Sequence, residues 1–230
     1  MYFFNPPSKR AGKVFNEARR SPYDALRPWS AITHGVGAIL AVLGTVLLLV
    51  LRSPTVWHCV TFSVYGGTMA LLYTASTLYH CVSTSVSGRI ALRKFDHASI
   101  YFLIAGTYTP ICLISLRGVW GWSLFGTIWT LALIGLAVTL LWINSPRWFS
   151  AGIYIFMGWL ALIAIIPLIR VLSGGIFWLL FGGVLYTVGG VLYAVKLPGR
   201  NNPRFGCHEI FHLFILAGSV CHYLLMYLVI

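Results

Sequence analysis

Seven stretches of the chain carry no charged residue for 20 positions or more: 28–51, 53–88, 97–116, 118–146, 148–169, 171–195 and 210–230. A bilayer hydrocarbon core of roughly 30 Å takes about 20 apolar residues of helix to cross. The pattern therefore predicts spans over 32–51, 57–80, 96–116, 120–143, 148–169, 173–195 and 208–230. Short alternating strands of the outer-membrane barrel type do not occur. The expected fold class is all-α, a polytopic bundle of seven transmembrane helices filling 31–230, preceded by a separate arm over 1–30. Loops of 15 residues (81–95) and 12 residues (196–207) are expected. Every other connection is short, which leaves no room for a second folded domain.

Composition sharpens the picture. Of 230 residues 59% are hydrophobic and only 9% charged, against about 25% charged in soluble domains. Soluble enzymes and nucleic-acid binders are excluded. Net charge is +12, from 16 Lys/Arg against 4 Asp/Glu. With seven crossings, one face collects Lys9, Arg10, Lys13, Arg19, Arg20, Arg27, Arg89, Arg93, Lys94, Arg147, Lys196, Arg200 and Arg204. The other face holds only Arg52, Arg117 and Arg170. The positive-inside rule then makes the N-terminus cytoplasmic and the C-terminus external. The arm has no apolar core before residue 31 and is interrupted by Pro6, Pro7, Pro22 and Pro28, unlike a signal peptide. It reads as a basic segment resting on an anionic lipid surface, too short for a nucleic-acid site.

Ionisable groups inside a membrane are costly and mark functional candidates. Outside the arm the acidic residues are Asp96 and Glu209. By topology Ser76 and His80 close span two at the cytoplasmic side, Asp96 opens span three, and His208, Glu209 and His212 open span seven. His208 and His212 are four apart and share one helix face. With His80 they make three nitrogen ligands, the catalytic zinc pattern that leaves a fourth position open. Imidazole also suits copper, iron or nickel. Water bound to zinc titrates near neutrality, and Asp96 is placed to orient or deprotonate it.

The remaining histidines divide by position. His34, near the cytoplasmic end of span one, reads as a capping or hydrogen-bonding residue. His97 points about 100° away from Asp96 around its helix and reads as a neighbour of the site. His58 and His222 fall toward the outer face and read as structural. The string His208-Glu209-Ile210-Phe211-His212 also matches the HExxH pattern of zinc proteases, in which the Glu is general base. Pairs such as Gly66-Gly67, Gly174-Gly175, Gly182-Gly183 and Gly189-Gly190 suit close helix packing. Pro110 and Pro167 are expected to kink or end their helices. Cys81 and Cys207 lie on the reducing side, and a disulfide among Cys59, Cys112 and Cys221 is left open.

Several of these strings together resemble the hemolysin III family. They are Thr33-His34-Gly35, Ser76-x-x-x-His80, Asp96-His97-Ala98-Ser99, Ala105-Gly106-Thr107-Tyr108-Thr109-Pro110 and His208-Glu209-Ile210-Phe211-His212. That family is the prokaryotic-type branch of the progestin and adipoQ receptors, within a wider group of membrane hydrolases that includes alkaline ceramidases. The resemblance covers about residues 28–229. It implies a seven-helix fold with zinc near the cytoplasmic face, held by His80, His208 and His212, with Asp96 and Ser76 at the bound water. One departure is visible: Glu and Asn often precede the Thr-His-Gly string in the family, whereas this chain reads Arg27-Pro28-Trp29-Ser30.

A fold does not carry a reaction with it. The site suits a zinc-dependent hydrolase of a lipid amide or ester, with membrane lipid as substrate. It also suits a non-enzymatic sensor of membrane state in which zinc ties spans two and seven together. A cytolytic pore fits less well, because no polar stripe runs down any span. A membrane protease lacks the other elements of a protease cleft.

Overall fold

A computed structural model describes residues 26–199 and 205–230. Most of the arm (1–25) and Arg200 and Arg204 of the expected sixth loop lie outside the described residues. No strand occurs among the described residues. The described residues form, in order, the α-helices α1 (Pro28–Leu51), α2 (Val56–Cys81), α3 (Val86–Pro110), α4 (Gly118–Leu141), α5 (Arg147–Trp159), α6 (Ile165–Leu172), α7 (Ile176–Val195) and α8 (Cys207–Leu228). Among the described residues five segments are long and apolar enough to cross a membrane: 28–51, 86–116, 118–141, 147–195 and 207–228. The 49 residues of 147–195 are too many for one crossing, and they fold back on themselves. A 3-10 turn at Ser173–Gly175 reverses the chain, which sets the Arg147 guanidinium 4.9 Å from the Tyr193 ring.

α1 starts at Pro28, whose fixed φ and missing N–H suit a first helical turn. This start lies within the stretch expected as arm. α3 departs more from expectation, starting at Val86 inside the segment expected as a 15-residue loop. Arg and Lys are good helix formers, so the charges of 81–95 do not end a helix. Ser85 caps this helix, its hydroxyl accepting from Gly88 N at 3.2 Å. The cations then serve neighbouring helix C-termini, where free carbonyls favour positive charge. Arg89 donates to the carbonyls of Tyr79 and Val82, and Lys94 to that of Leu140 at 2.7 Å.

Two irregular stretches coincide with the prolines. α3 runs through Pro110 into a π-helical end, Ile111–Leu116. The segment expected as one span over 148–169 is broken by a 3-10 stretch, Leu160–Ala164, just before Pro167. Proline there removes the N–H that would reach back one α-turn. Tyr108 takes up the slack. Its hydroxyl donates toward the Gly158 and Met157 carbonyls (2.7 and 3.0 Å) and accepts from Ala161 N at 2.8 Å. Tyr108→Phe should therefore lower the unfolding temperature in detergent, reflecting a loss of about 1–3 kcal/mol for orphaned buried groups. An unchanged melting curve by scanning fluorimetry would count against that role.

In each Gly-Gly pair at least one member closely faces another part of the bundle: Gly66 meets Thr45, Gly175 meets Val229, Gly182 meets His222 and Gly189 meets Phe214. The buried core runs through the bundle on Leu48, Phe62, Tyr65, Tyr101, Ile128, Leu168 and Leu225. All five cysteines are free, so the open possibility of a disulfide does not materialise.

Candidate metal centre

α2 and α8 deliver three imidazoles to one point. His80 is in the last turn of α2; His208 and His212 are in the first two turns of α8. His208 Nε2 lies 3.0 Å from His80 Nε2 and 3.1 Å from His212 Nε2. The three ligand atoms all fall within 4.8 Å of one another, and His80 and His212 are buried.

Protons alone satisfy this geometry poorly. Each neutral Nε2 carries one N–H or one in-plane lone pair, so His208 Nε2 can serve both neighbours only by sharing a single proton or a single lone pair between them. Such a shared contact is weaker than two separate hydrogen bonds. One cation accepting all three lone pairs removes the need to share. A tetrahedral zinc at about 2.0–2.1 Å from each nitrogen separates them by roughly 3.3–3.4 Å, close to the 3.0 and 3.1 Å on either side of His208 Nε2. The donor set thus fits a divalent metal that takes imidazole.

The cluster opens through His208 and His212 onto a cavity that is partly open at the surface. Ser76 and Asp96 line the same cavity and lie against each other. Along α3 the wall runs from Arg93 to Tyr108, about 22 Å at 1.5 Å per residue. One end is polar, with Asp96, Ser76, His97 and Arg147. The rest is mostly apolar, with Leu103, Ile104, Ile111, Leu162, Ile165 and Leu179.

The sequence-predicted residues therefore assort as follows. His80, His208 and His212 meet; Asp96 and Ser76 share the cavity onto which they open. His97 lines the wall outside the cluster, and His58 sits in the first turn of α2, 2.7 Å from the Thr55 hydroxyl. His34 lies inside α1 rather than at its cap. Its ring stacks on His212, with centroids 3.6 Å apart at 17°, and meets Tyr73 edge-on at 5.0 Å. Sequence gives no hint of this stack, because it depends on how α1 crosses α8.

Glu209 differs most from its sequence reading. Although it is next to His208, it belongs to neither cluster nor cavity wall. One carboxylate oxygen accepts from Arg27 Nη1 at 2.9 Å and Ser30 Oγ at 3.2 Å. The other accepts from Gly206 N at 2.8 Å, capping α8. Glu209 thus faces α1 and its own helix start, not the cavity onto which His208 and His212 open. Arg27 N also donates to the His80 carbonyl at 3.1 Å. Arg27 and Ser30, in the segment that departs from the family pattern, thus tie α1 to both ligand-bearing helices.

The matching family model, haemolysin-III related, covers residues 27–223. The chain belongs to the haemolysin-III-related family. Relatives include "Hemolysin-3" of Bacillus cereus, 41% identical over 194 residues (83% of this chain and 85% of that one). The "Hemolysin-3 homolog" of Bacillus subtilis (strain 168) is 39% identical over 194 residues, covering 83% and 87%. A more distant match is the "Adiponectin receptor protein" of Drosophila melanogaster, 27% identical over 155 residues, covering 56% of this chain and 33% of that one. With its long apolar helices, this haemolysin-III-related chain is a multi-pass membrane protein.

The clamp predicts a measurable effect. Glu209→Ala leaves the Arg27 guanidinium and the Gly206 N–H without their acceptor and removes one tie between α8 and α1. It should lower stability by about 1–3 kcal/mol, discounted because Arg27 is partly exposed, and weaken metal retention under limiting zinc. Unchanged melting temperature and metal content in Glu209→Ala would show that the clamp does not hold the histidines.

Proposed function

We propose that this haemolysin-III-related protein is a zinc-dependent hydrolase of a lipid amide. Its helices would cross the bilayer seven times, with the N-terminus cytoplasmic, the C-terminus outside and the metal centre near the cytoplasmic face. The observation that carries the reading is three imidazole nitrogens converging at the polar end of a long, mainly apolar cavity, with a buried carboxyl on its wall. The charge asymmetry of 13 Lys/Arg against 3 between alternate loops supports the orientation.

His80, His208 and His212 would hold the metal. When bound, zinc supplies Lewis acidity toward a carbonyl and makes water a competent nucleophile near neutral pH. The rest falls to the chain's own residues. The apolar wall, from Leu103 to Ile165, takes the acyl chain and keeps bulk water from the reacting end. Asp96 accepts the proton of the attacking water on a carboxylate oxygen and returns it to the leaving amine. Ser76 Oγ–H donates to that carboxylate or to the oxygen that gains charge. His34, stacked on His212, fixes the plane of that ring.

The test joins metal content to turnover. Detergent-purified protein should hold about one zinc per chain by mass spectrometry and release fatty acid from a long-chain lipid amide such as ceramide. Zinc without any product across amide and ester lipids would overturn the hydrolase reading and leave a metal that only ties α2 to α8.

A further inference from the structure

Two cations line the polar mouth of the cavity, and the metal centre uses neither. Arg93 stands one turn before Asp96 on the same face of α3. Arg147 opens α5, and its guanidinium carbon lies 4.9 Å from the Tyr193 ring. That ring is itself 5.6 Å from the His208 ring. The Arg147 cation therefore stands one aromatic ring away from the three imidazoles. Both side chains are reachable, Arg93 half-buried and Arg147 exposed.

Their charge is not used up within the protein. Arg27 pairs with Glu209, and Arg89 and Lys94 bond carbonyls at helix ends. Arg93, by contrast, gives an N–H only to the exposed Asn144 Oδ1, at 3.3 Å. Arg147 rests on the Tyr193 ring, which holds its position but supplies no acceptor atom. Neither forms an ion pair among the described residues. Asp96, the one carboxylate among the described lining residues, lies against Ser76. The positive-inside rule explains on which side cations collect, not why two of them border this cavity. A guanidinium presents its N–H groups as a planar fork that matches a carboxylate.

We propose that Arg93 and Arg147 form a headgroup subsite selecting lipid amides whose amine half carries a carboxylate, that is, N-acyl amino acids. This rests on reading the cavity as a lipid-amide site, and it names the substrate class. With the acyl chain along the apolar wall and the carbonyl at the histidines, the amine half points to the mouth. In an N-acylglycine the carboxylate carbon lies roughly 3–4 Å beyond the amide carbonyl carbon. A charge-assisted N–H···O bond adds about 2.8 Å. Together they reach from His208 toward Arg147 across the one intervening ring. A neutral ethanolamide of the same length brings no charge to that place.

The probes are N-oleoylglycine and N-oleoylethanolamine, matched in length and differing in charge. Each displaces a fluorescent neutral ceramide from the full chain in neutral detergent, on ice. The ratio of their affinities, followed across variants, cancels their different partition into detergent. Arg93→Gln and Arg147→Gln should each shift that ratio against the glycine conjugate by about fivefold or more, as expected for a lost hydrogen bond between charged groups near solvent. Arg93→Lys and Arg147→Lys, which keep the charge and lose the fork, should retain part of the preference. A ratio that neither Gln variant changes would overturn the proposal, because the anion would then be held elsewhere, for instance by the metal. A loss as large in the Lys variants, with a lowered melting temperature, would overturn it too, since the arginines would then only hold the mouth together. Displacement by neither lipid would also end it, because no lipid amide would enter. Ceramide hydrolysis on the same preparation is read separately. An arginine-dependent preference without turnover keeps the subsite and fails the hydrolase reading; turnover without that preference fails the subsite alone.

Discussion

Asp96→Asn should keep the zinc and the helical fold while losing lipid-amide hydrolysis by a factor of about 10²–10⁴, the usual worth of a positioned general base. Asp96 is buried on the cavity wall beside Ser76 and outside the histidine cluster. The amide is nearly the same size, so packing is preserved, and a neutral oxygen cannot take a proton from water. If Asp96 instead stabilised the bundle, Asp96→Asn would shift the melting temperature and leave catalysis in the surviving fraction intact. Metal analysis, thermal unfolding and product release on one preparation separate the two. Retained turnover per folded molecule would refute the role given to Asp96.

The His208→Ala/His212→Ala double variant should lose essentially all its metal, falling from about one zinc per chain to background, with hydrolysis lost alongside. Two of three ligands come from α8, and His80 alone is a weak site. The wild-type contacts at 3.0 and 3.1 Å link all three rings. Removing two rings therefore also relieves the crowding that a cation would otherwise resolve. The apo variant should stay folded, because α8 is still held by Glu209 to Arg27 and by Tyr73 to Ser219. Metal retained by a folded double variant would move the site elsewhere. A folded wild type that binds no metal even when zinc is offered would remove the hydrolase reading altogether.

Much of the site was legible because it follows helical phase and depth. Spacing of four puts His208 and His212 on one face, and the alternation of charged loops brings His80 and Asp96 to the same end. Glu209, one position on, is turned about 100° from His208. That rotation already pointed it away from its neighbour, but the partner that takes it, Arg27, lies 182 residues distant and only packing reveals it. The start of α3 at Val86 was obscured because charge marks the edge of an apolar span, not the end of a helix. His34 and His222 carry no local signal at all. Each acquires its meaning from a crossing, of α1 over α8 for one and of α7 against α8 for the other.

His80 and His208 stand 128 residues apart, on the second helix of the bundle and the last. During synthesis the first of them is embedded long before its companions leave the ribosome. No intermediate with α8 still unmade can present more than one of the three imidazoles, so a stalled or truncated chain offers the cell's zinc pool no competent trap. On the proposed reading, metal uptake would be a late event of biogenesis, and a loaded centre would certify that the closing helix has found its place.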